Sequence, residues 1–434
     1  MMSVAVRRNL FLLSLLACQC VVNCITLLGG RFETSTDVQT FLNLALDAAE
    51  MKESDDFDTK KAIYTTGVNR ENEASVDISL AELSLRASGD MLENPYFHMF
   101  RHAFLVLGNA EEGETEGRFD GAAIEQYGDT LVNDLFELDV EGIETEAAVV
   151  LNVWMAVINE LFQVKIQCKA NNMNMGLAAL DKAAAMWIGE GQDSGVNDSG
   201  NLLYSLAENA GERFDQDEGE AVVNSKIVDL FVEIQKDLRG GKCGDLTGYL
   251  NVRGQIRRMV SLMTIPLIQN LIHHTMNANL QHGADWVELY ALATIPRIAV
   301  CNPEDYDQTL HLDVLREMTP EYANQALAAL ERSYSCFGIT CADVGSYRGG
   351  ERPQCDDESG VNLVGYSSTR EDIREKSYLD RDIKTIDVLM KFKAYGLALD
   401  WYEYGWNSVY NLQGLAKNEV IPPSSKTGKN MFET

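Results

Sequence analysis

Between Ile143 and Ala170 the chain carries a run too evenly apolar to sit on a surface. Val149, Val150, Leu151, Val153, Trp154, Met155, Val157, Ile158, Leu161 and Phe162 fall on nearly every side of a 3.6-residue helix. A helix apolar all round is a buried one, so the rest of the fold has to wrap it. Its most apolar part, Ala147 to Ile158, is short for a membrane span, and Asn152, Asn159 and Glu160 interrupt or bound it. The wrapping is expected to be helical. Pro is scarce, at 8 of 434 residues, Ala- and Leu-rich stretches recur, and alternating β-branched runs are few.

Four further helices are predicted. Thr36 to Lys52 is amphipathic, with Val38, Phe41, Leu42, Leu44, Ala45 and Ala48 on one side and Thr36 as its expected cap. Gln255 to Met276 places Ile256, Met259, Val260, Met263, Leu267 and Leu271 on one face, and Pro266 should kink it. Thr319 to Tyr334 and Asp382 to Trp401 complete the set. Asn94-Pro95 reads as one more helix start, with Asn capping and Pro at the first helical position. Asp343 to Ser377 lacks periodicity, is rich in Gly, Ser, Asp and Arg, and reads as a long loop pinned through Cys355.

One pattern recurs. Lys61-Ala-Ile-Tyr64-Thr-Thr-Gly67-Val-Asn69 is followed by Ser79-Leu-Ala-Glu-Leu-Ser84, and Asp181-Lys-Ala-Ala-Ala-Met-Trp187-Ile-Gly189 by Ser205-Leu-Ala-Glu-Asn-Ala210. Asp400-Trp-Tyr402-Glu-Tyr-Gly405-Trp-Asn407 resembles a third copy. Each is a helix ending on an aromatic and then a Gly, the residue that takes a positive φ most readily. The spacing is too long for a solenoid. The expected architecture is therefore all-α: one large helical bundle over 25–415, built from related units at about 36–140 and 175–312 with a partial third at 380–415, and stabilised by disulfides. Residues 416–434 form a polar tail containing Pro422-Pro423, with no apolar anchor signal.

The compartment is read from the first residues and the cysteines. Arg7 and Arg8 precede the apolar run Asn9 to Ala17, with small residues after it, so 1–24 reads as a secretory signal peptide. Leu16-Ala17-Cys18 leaves a bacterial lipoprotein box as the rival. Beyond Cys24 six cysteines remain: Cys168, Cys243, Cys301, Cys336, Cys341 and Cys355. An even count in an exported chain points to disulfides, and the spacing leaves their pairing open, Cys336 with Cys341 being one local choice. Asn197-Asp198-Ser199 is a glycosylation acceptor triplet in a polar loop.

Charge narrows the partners. Sixty-six acidic against 36 basic side chains give a net charge of −30, which disfavours nucleic acid or an anionic lipid surface and favours cations or basic cell-surface partners. Catalytic signatures are absent from the sequence: it has no nucleophile elbow, no phosphate-binding Gly loop with Lys-Ser/Thr, no H-E-x-x-H and no C-x-x-C pair. Asp215-Gln-Asp217-Glu-Gly219 partly matches a calcium loop, but its Gly falls one position early. The sharpest constellation is His98-Met-Phe-Arg-His102. Two His at i and i+4 share a helix face and could hold one metal, or simply flank the core stripe of Phe97, Phe100 and Phe104. Glu160 is the second candidate ligand, because a carboxylate on a buried helix needs a metal, an Arg or backbone amides. His273 and His274 are adjacent and are expected to point apart.

Ala178-Ala-Leu-Asp-Lys-Ala-Ala-Ala-Met-Trp-Ile-Gly189, Leu202-Leu-Tyr-Ser-Leu-Ala-Glu208, Val222-Val-Asn-Ser-Lys-Ile-Val-Asp-Leu-Phe231, Ile265-Pro-Leu-Ile-Gln-Asn270 and Tyr334 to Gly345 together resemble secreted proteins of diatoms and other algae. Some of that group are described as iron-assimilating, low-iron-inducible or high-CO2-inducible periplasmic proteins. The likeness runs from about residue 40 to 410 and implies iron as a bound metal, without assigning ligands to positions here. The function expected is secreted or periplasmic metal binding linked to iron assimilation at the cell surface. A non-catalytic cell-wall or extracellular-matrix interaction protein is the alternative, and an enzyme ranks behind both.

Overall fold

The computed structural model describes residues 24–69, 78–84, 127–137, 140–197, 199–278, 282–301, 310, 320–350, 361–363, 366–368, 379–391 and 395–405. Among these the fold is mostly helical, with two small antiparallel ribbons. β1 (Thr26–Leu27) pairs with β2 (Phe32–Glu33) near the start. The helices follow as α1 (Gln39–Leu42), α2 (Leu44–Glu53), α3 (Phe57–Thr66), α4 (Tyr127–Leu135), α5 (Ile143–Lys169), α6 (Met173–Ile188), α7 (Leu203–Arg213) and α8 (Val222–Arg239). After them come α9 (Leu246–Met276), α10 (Gly283–Cys301), α11 (Pro320–Phe337), α12 (Cys341–Val344), α13 (Leu379–Lys391) and α14 (Tyr395–Tyr404).

α5 lies at the centre. By length and composition alone it could cross a bilayer, yet 83% of that apolar window is buried inside the fold. α6 runs along α5, while α9 packs on α5, α8 and α10. The indole N–H of Trp154 on α5 donates to the carbonyl of Met263 on α9 at 3.1 Å, so even the polar edge of this buried Trp is satisfied. Among the described residues Trp154, Trp187, Trp401, Tyr64, Tyr204 and Tyr290 are the largest fully buried side chains. Residues Ala148–Val153 of α5 form a π-helical turn, a form often found at functional sites.

Several boundaries differ from the sequence reading. Val38, not Thr36, occupies the cap position of α1. The Thr36 hydroxyl donates instead to buried Asp181 on α6 at 3.0 Å, and the Ser35 amide donates to the same carboxylate oxygen at 2.6 Å. A tertiary partner therefore outcompetes the local cap. α9 is assigned without a break through Pro266, and the Asn270 side chain donates to the Pro266 carbonyl at 3.0 Å. The single helix expected over Asp382 to Trp401 is two, α13 and α14. The segment expected as a loop after Asp343 holds the Tyr347–Gly349 turn and a ribbon of β3 (Val361–Leu363) with β4 (Tyr366–Ser368).

The aromatic-then-glycine helix ends are present. Gly67 closes α3 at φ 65°, ψ 160°, and Gly189 closes α6 at φ 83°, ψ 164°, a backbone region open essentially to Gly alone. Gly405 follows α14 at φ 64°. A buried Asn stands by each of the first two. Asn152 on α5 donates to the Tyr64 hydroxyl (3.0 Å) and the Leu80 carbonyl (3.1 Å). Asn224 on α8 accepts from the Trp187 indole (3.1 Å) and donates to the Tyr204 carbonyl (2.9 Å) and to Glu208 (2.7 Å).

A disulfide joins Cys168 on α5 to Cys243 in the turn before α9, with the two Cα atoms 5.1 Å apart. Cys336 and Cys341 are also in disulfides. Cys355 lies outside the described residues, as does the side chain of Cys301.

Candidate functional site

The residues singled out from the sequence separate in space. His98 and His102 lie outside the described residues. Glu160 sits on α5, 3.8 Å from the ammonium of Lys182 on α6. Asn152, which interrupts the same apolar run, faces Tyr64. Asn197 is half-buried, and its amide donates to Glu212 at 2.8 Å while Ser199 of the same triplet is engaged by Gln192 and the Asp193 amide. Among the described residues no group of three or more His, Cys, Asp and Glu side chains is placed to hold a metal.

The strongest convergence of chemistry is one the sequence reading missed. It forms where the C-terminal end of α9 meets four other segments. Asn270, His273, His274 and Asn277 come from α9 and its cap, and Glu146 comes from α5, just before the π turn. Arg213 ends α7, Trp286 and Tyr290 lie one turn apart on α10, and Tyr347 lies in the short turn after α12. No local motif marks such a site, because its parts are up to 201 residues apart along the chain.

Glu146 accepts a very short hydrogen bond from the Tyr290 hydroxyl. Glu146 is half-buried. Burial raises its pKa; the Tyr290 bond and the charges of Arg213 and Lys52 oppose that rise without cancelling it. Burial and the Glu146 charge raise the Tyr290 phenol in turn.

The two imidazoles do not point apart. Their rings meet edge to face with centroids 4.9 Å apart. His274 lies nearly parallel to Trp286, at 5.1 Å and 10°, and to Tyr290, at 5.4 Å and 13°. His273 Nδ1 is 2.9 Å from the Tyr347 hydroxyl, and Asn277 Nδ2 donates to that same hydroxyl at 3.0 Å. With the amide hydrogen directed at the phenol oxygen, the phenol hydrogen is free to go to Nδ1. Burial, then Arg213 and Arg348, push His273 down to about 4. Burial, then His273 and Arg213, push His274 down to about 3. Both rings are thus neutral near pH 7.

Arg213 is half-buried and donates to the neutral Asn270 side chain at 2.9 Å. Among the described residues no carboxylate lies within ion-pair distance of it.

No family model, no curated protein and no solved structure matches this chain.

Proposed function

We propose that the chain is a secreted or periplasmic metal-binding protein linked to iron assimilation at the cell surface. The observation that carries this reading is the charge: a net −30 on a disulfide-braced helical fold concentrates cations around it. The export-type segment at 1–24, the bonded cysteines and the resemblance to algal iron-linked proteins agree with it. Surface acids alone hold metals weakly, so the reading needs a built site, and His98 with His102 supplies two nitrogen ligands of it. Glu160, already beside Lys182, is the weaker third.

The test has two parts. Elemental analysis of protein purified from its own source should find iron at near-stoichiometric amounts. Replacing His98 and His102 together with Ala should remove most of the tight binding seen in ferric and zinc titrations under citrate competition, and leave the helical circular dichroism intact. Equal binding by both proteins retires these two residues as ligands.

A second reading, a non-catalytic cell-wall or matrix interaction protein, is favoured by one specific surface. Ile383 and Met390 on α13, and Tyr395, Leu399 and Tyr402 on α14, are exposed at helical spacing on two helices that pack together. The finer architecture of two or three related units belongs here too. The matching glycine geometry at 67 and 189, each beside an Asn bonded to the helix-ending aromatic and to a carbonyl at the start of a later helix, supports it.

A further inference from the structure

α13 is held to the fold by the buried residues Asp382, Thr385 and Leu389, and it packs against α14 and α10. Two lines of side chains run along its outer side. Ile383 and Met390, two turns apart, are 51% and 49% exposed. Beside them Asp380, Lys384, Asp387 and Lys391 fall within about 60° of one another around the helix axis. Each of these four side chains is at least 40% exposed. We infer that this face docks a second copy of the chain, with the two α13 helices antiparallel about a two-fold axis beside Ile386.

The order of the charges selects the occupant. Along the chain the line reads acid, base, acid, base. Reversed, it reads base, acid, base, acid, so an antiparallel copy presents the opposite charge at every step. An axis between Thr385 and Ile386 sets Lys384 opposite Asp387 of the second copy, and Lys391 opposite Asp380 of the second copy. Symmetry makes each of these pairings occur twice. A parallel copy in the same register would set like charges on like, which is costly. The apolar line is centred one residue further on, between Ile386 and Asp387, a shift of about 1.5 Å along the helix. One axis therefore serves both lines, and it brings Ile383 of each copy towards Met390 of the other.

The wider charge distribution agrees. The chain as a whole is at −30, so two copies repel over most of their surfaces. The α13 line is balanced, with its two ammonium groups 3.0 and 3.2 Å from carboxylates one turn away. A balanced face does not steer a basic partner to itself. It does let a second copy approach, the remaining repulsion being screened beyond about 8 Å at physiological salt. A helix of 13 residues is only about 20 Å long, so the contact falls below the roughly 1,200 Å² of a stable complex. The dimer is therefore weak and concentration-dependent. Self-association of this kind needs neither a bound metal nor a wall partner.

Sedimentation equilibrium of the full chain, from about 1 to 200 μM, tests the proposal. The average mass should climb from one chain towards two. Asp380→Lys with Asp387→Lys makes the line all basic, and Lys384→Asp with Lys391→Asp makes it all acidic. Each variant should stay monomeric alone, and an equal mixture of the two should associate again. Ile383→Gln with Met390→Gln keeps every charge and should weaken self-association by about tenfold or more, as expected when buried apolar area is lost. That variant decides the matter should a charge variant fail to fold. Wild type that stays monomeric throughout overturns the dimer, including the case in which it sediments with phosphatidylcholine vesicles instead. Association unchanged in all three variants places the contact elsewhere and overturns this face. Charge variants that stay monomeric even when mixed overturn the antiparallel register.

Discussion

The ammonium of Lys165 on α5 stands 2.6 Å from Asp400 on α14, across 235 residues of chain. Lys169, one turn along α5, reaches the other carboxylate oxygen at 2.9 Å. Arg253 on α9 donates to the Tyr404 carbonyl at 2.8 Å, so one short helix is fastened to both central ones by charge. The side chain of Lys165 is only 4% exposed and that of Asp400 12%. Replacing Asp400 with Asn should therefore leave buried cations facing one another and cost about 3 kcal/mol or more. A lowered urea midpoint with an unchanged slope is the expected result.

The same pair sets two pH windows. Burial acts to raise the Asp400 carboxyl, but Lys165, Lys169 and Arg253 outweigh it and hold the group at about 2, against 3.8 when unfolded. Its contribution to stability is present above pH 3.8 and lost as pH falls towards 2. Burial and Arg253 push Lys165 down to about 8 from 10.5, more than Asp400 restores. Between those values the unfolded chain binds more protons, so this group adds stability as pH rises. Urea midpoints measured across both windows should slope as stated in wild type, and the acid slope should shrink in Asp400→Asn.

His273 and His274 contribute a third window. Both are depressed below 6.5, to about 4 and about 3, so the unfolded state takes up protons first as the solution is acidified. Stability should fall progressively from pH 6.5 to 4. His274→Gln should flatten that fall, because a neutral amide titrates in neither state. A parallel fall in both proteins would show that the imidazole is not the source.

The helix stops predict a pair of matched substitutions. A Cβ at Gly189 would stand 2.8 Å from that of Ala45, at a φ of 83°. One at Gly67 would stand 2.9 Å from an Asp47 carboxylate oxygen, at a φ of 65°. Either change to Ala should cost about 1–3 kcal/mol from backbone strain, with Gly189 the worse. Its Cβ would also meet Leu202 at 3.1 Å, whereas the one at Gly67 closely approaches only the Asp47 carboxylate. Melting temperatures of the two variants check the order.

The two buried asparagines should differ as well. Asn224→Ala strips partners from the Trp187 indole, the Tyr204 carbonyl and Glu208 together, a loss of about 2–3 kcal/mol. Asn152→Ala should cost less, because the Asn152 carbonyl oxygen is already without a partner and only its amide is in use. Chemical denaturation of both variants gives the comparison.

These residues also show how far the sequence could be read. The apolar run at 143–170 declared a buried helix because burial on all sides leaves a periodicity with no polar gap. The Gly stops at 67 and 189 were legible for a similar reason: a positive φ selects one residue type. The Thr36 cap failed because Asp181, 145 residues away, offered its hydroxyl a better partner. The cluster at the end of α9, as a site, left no such signal. Its five segments are brought together only by the packing of α7, α9 and α10, and each residue taken alone is ordinary for its helix.

The bond between Cys168 and Cys243 has one more consequence. It closes a covalent ring that contains α6, α7 and α8, and the turn-rich stretch between α6 and α7 is exposed at Gly191, Asp193, Ser194 and Val196. A protease that cuts there opens the ring without releasing a fragment. The nicked protein keeps its full mass on a non-reducing gel and splits only when thiol is added, so a cut in this region leaves the ends of α5 and α9 tethered.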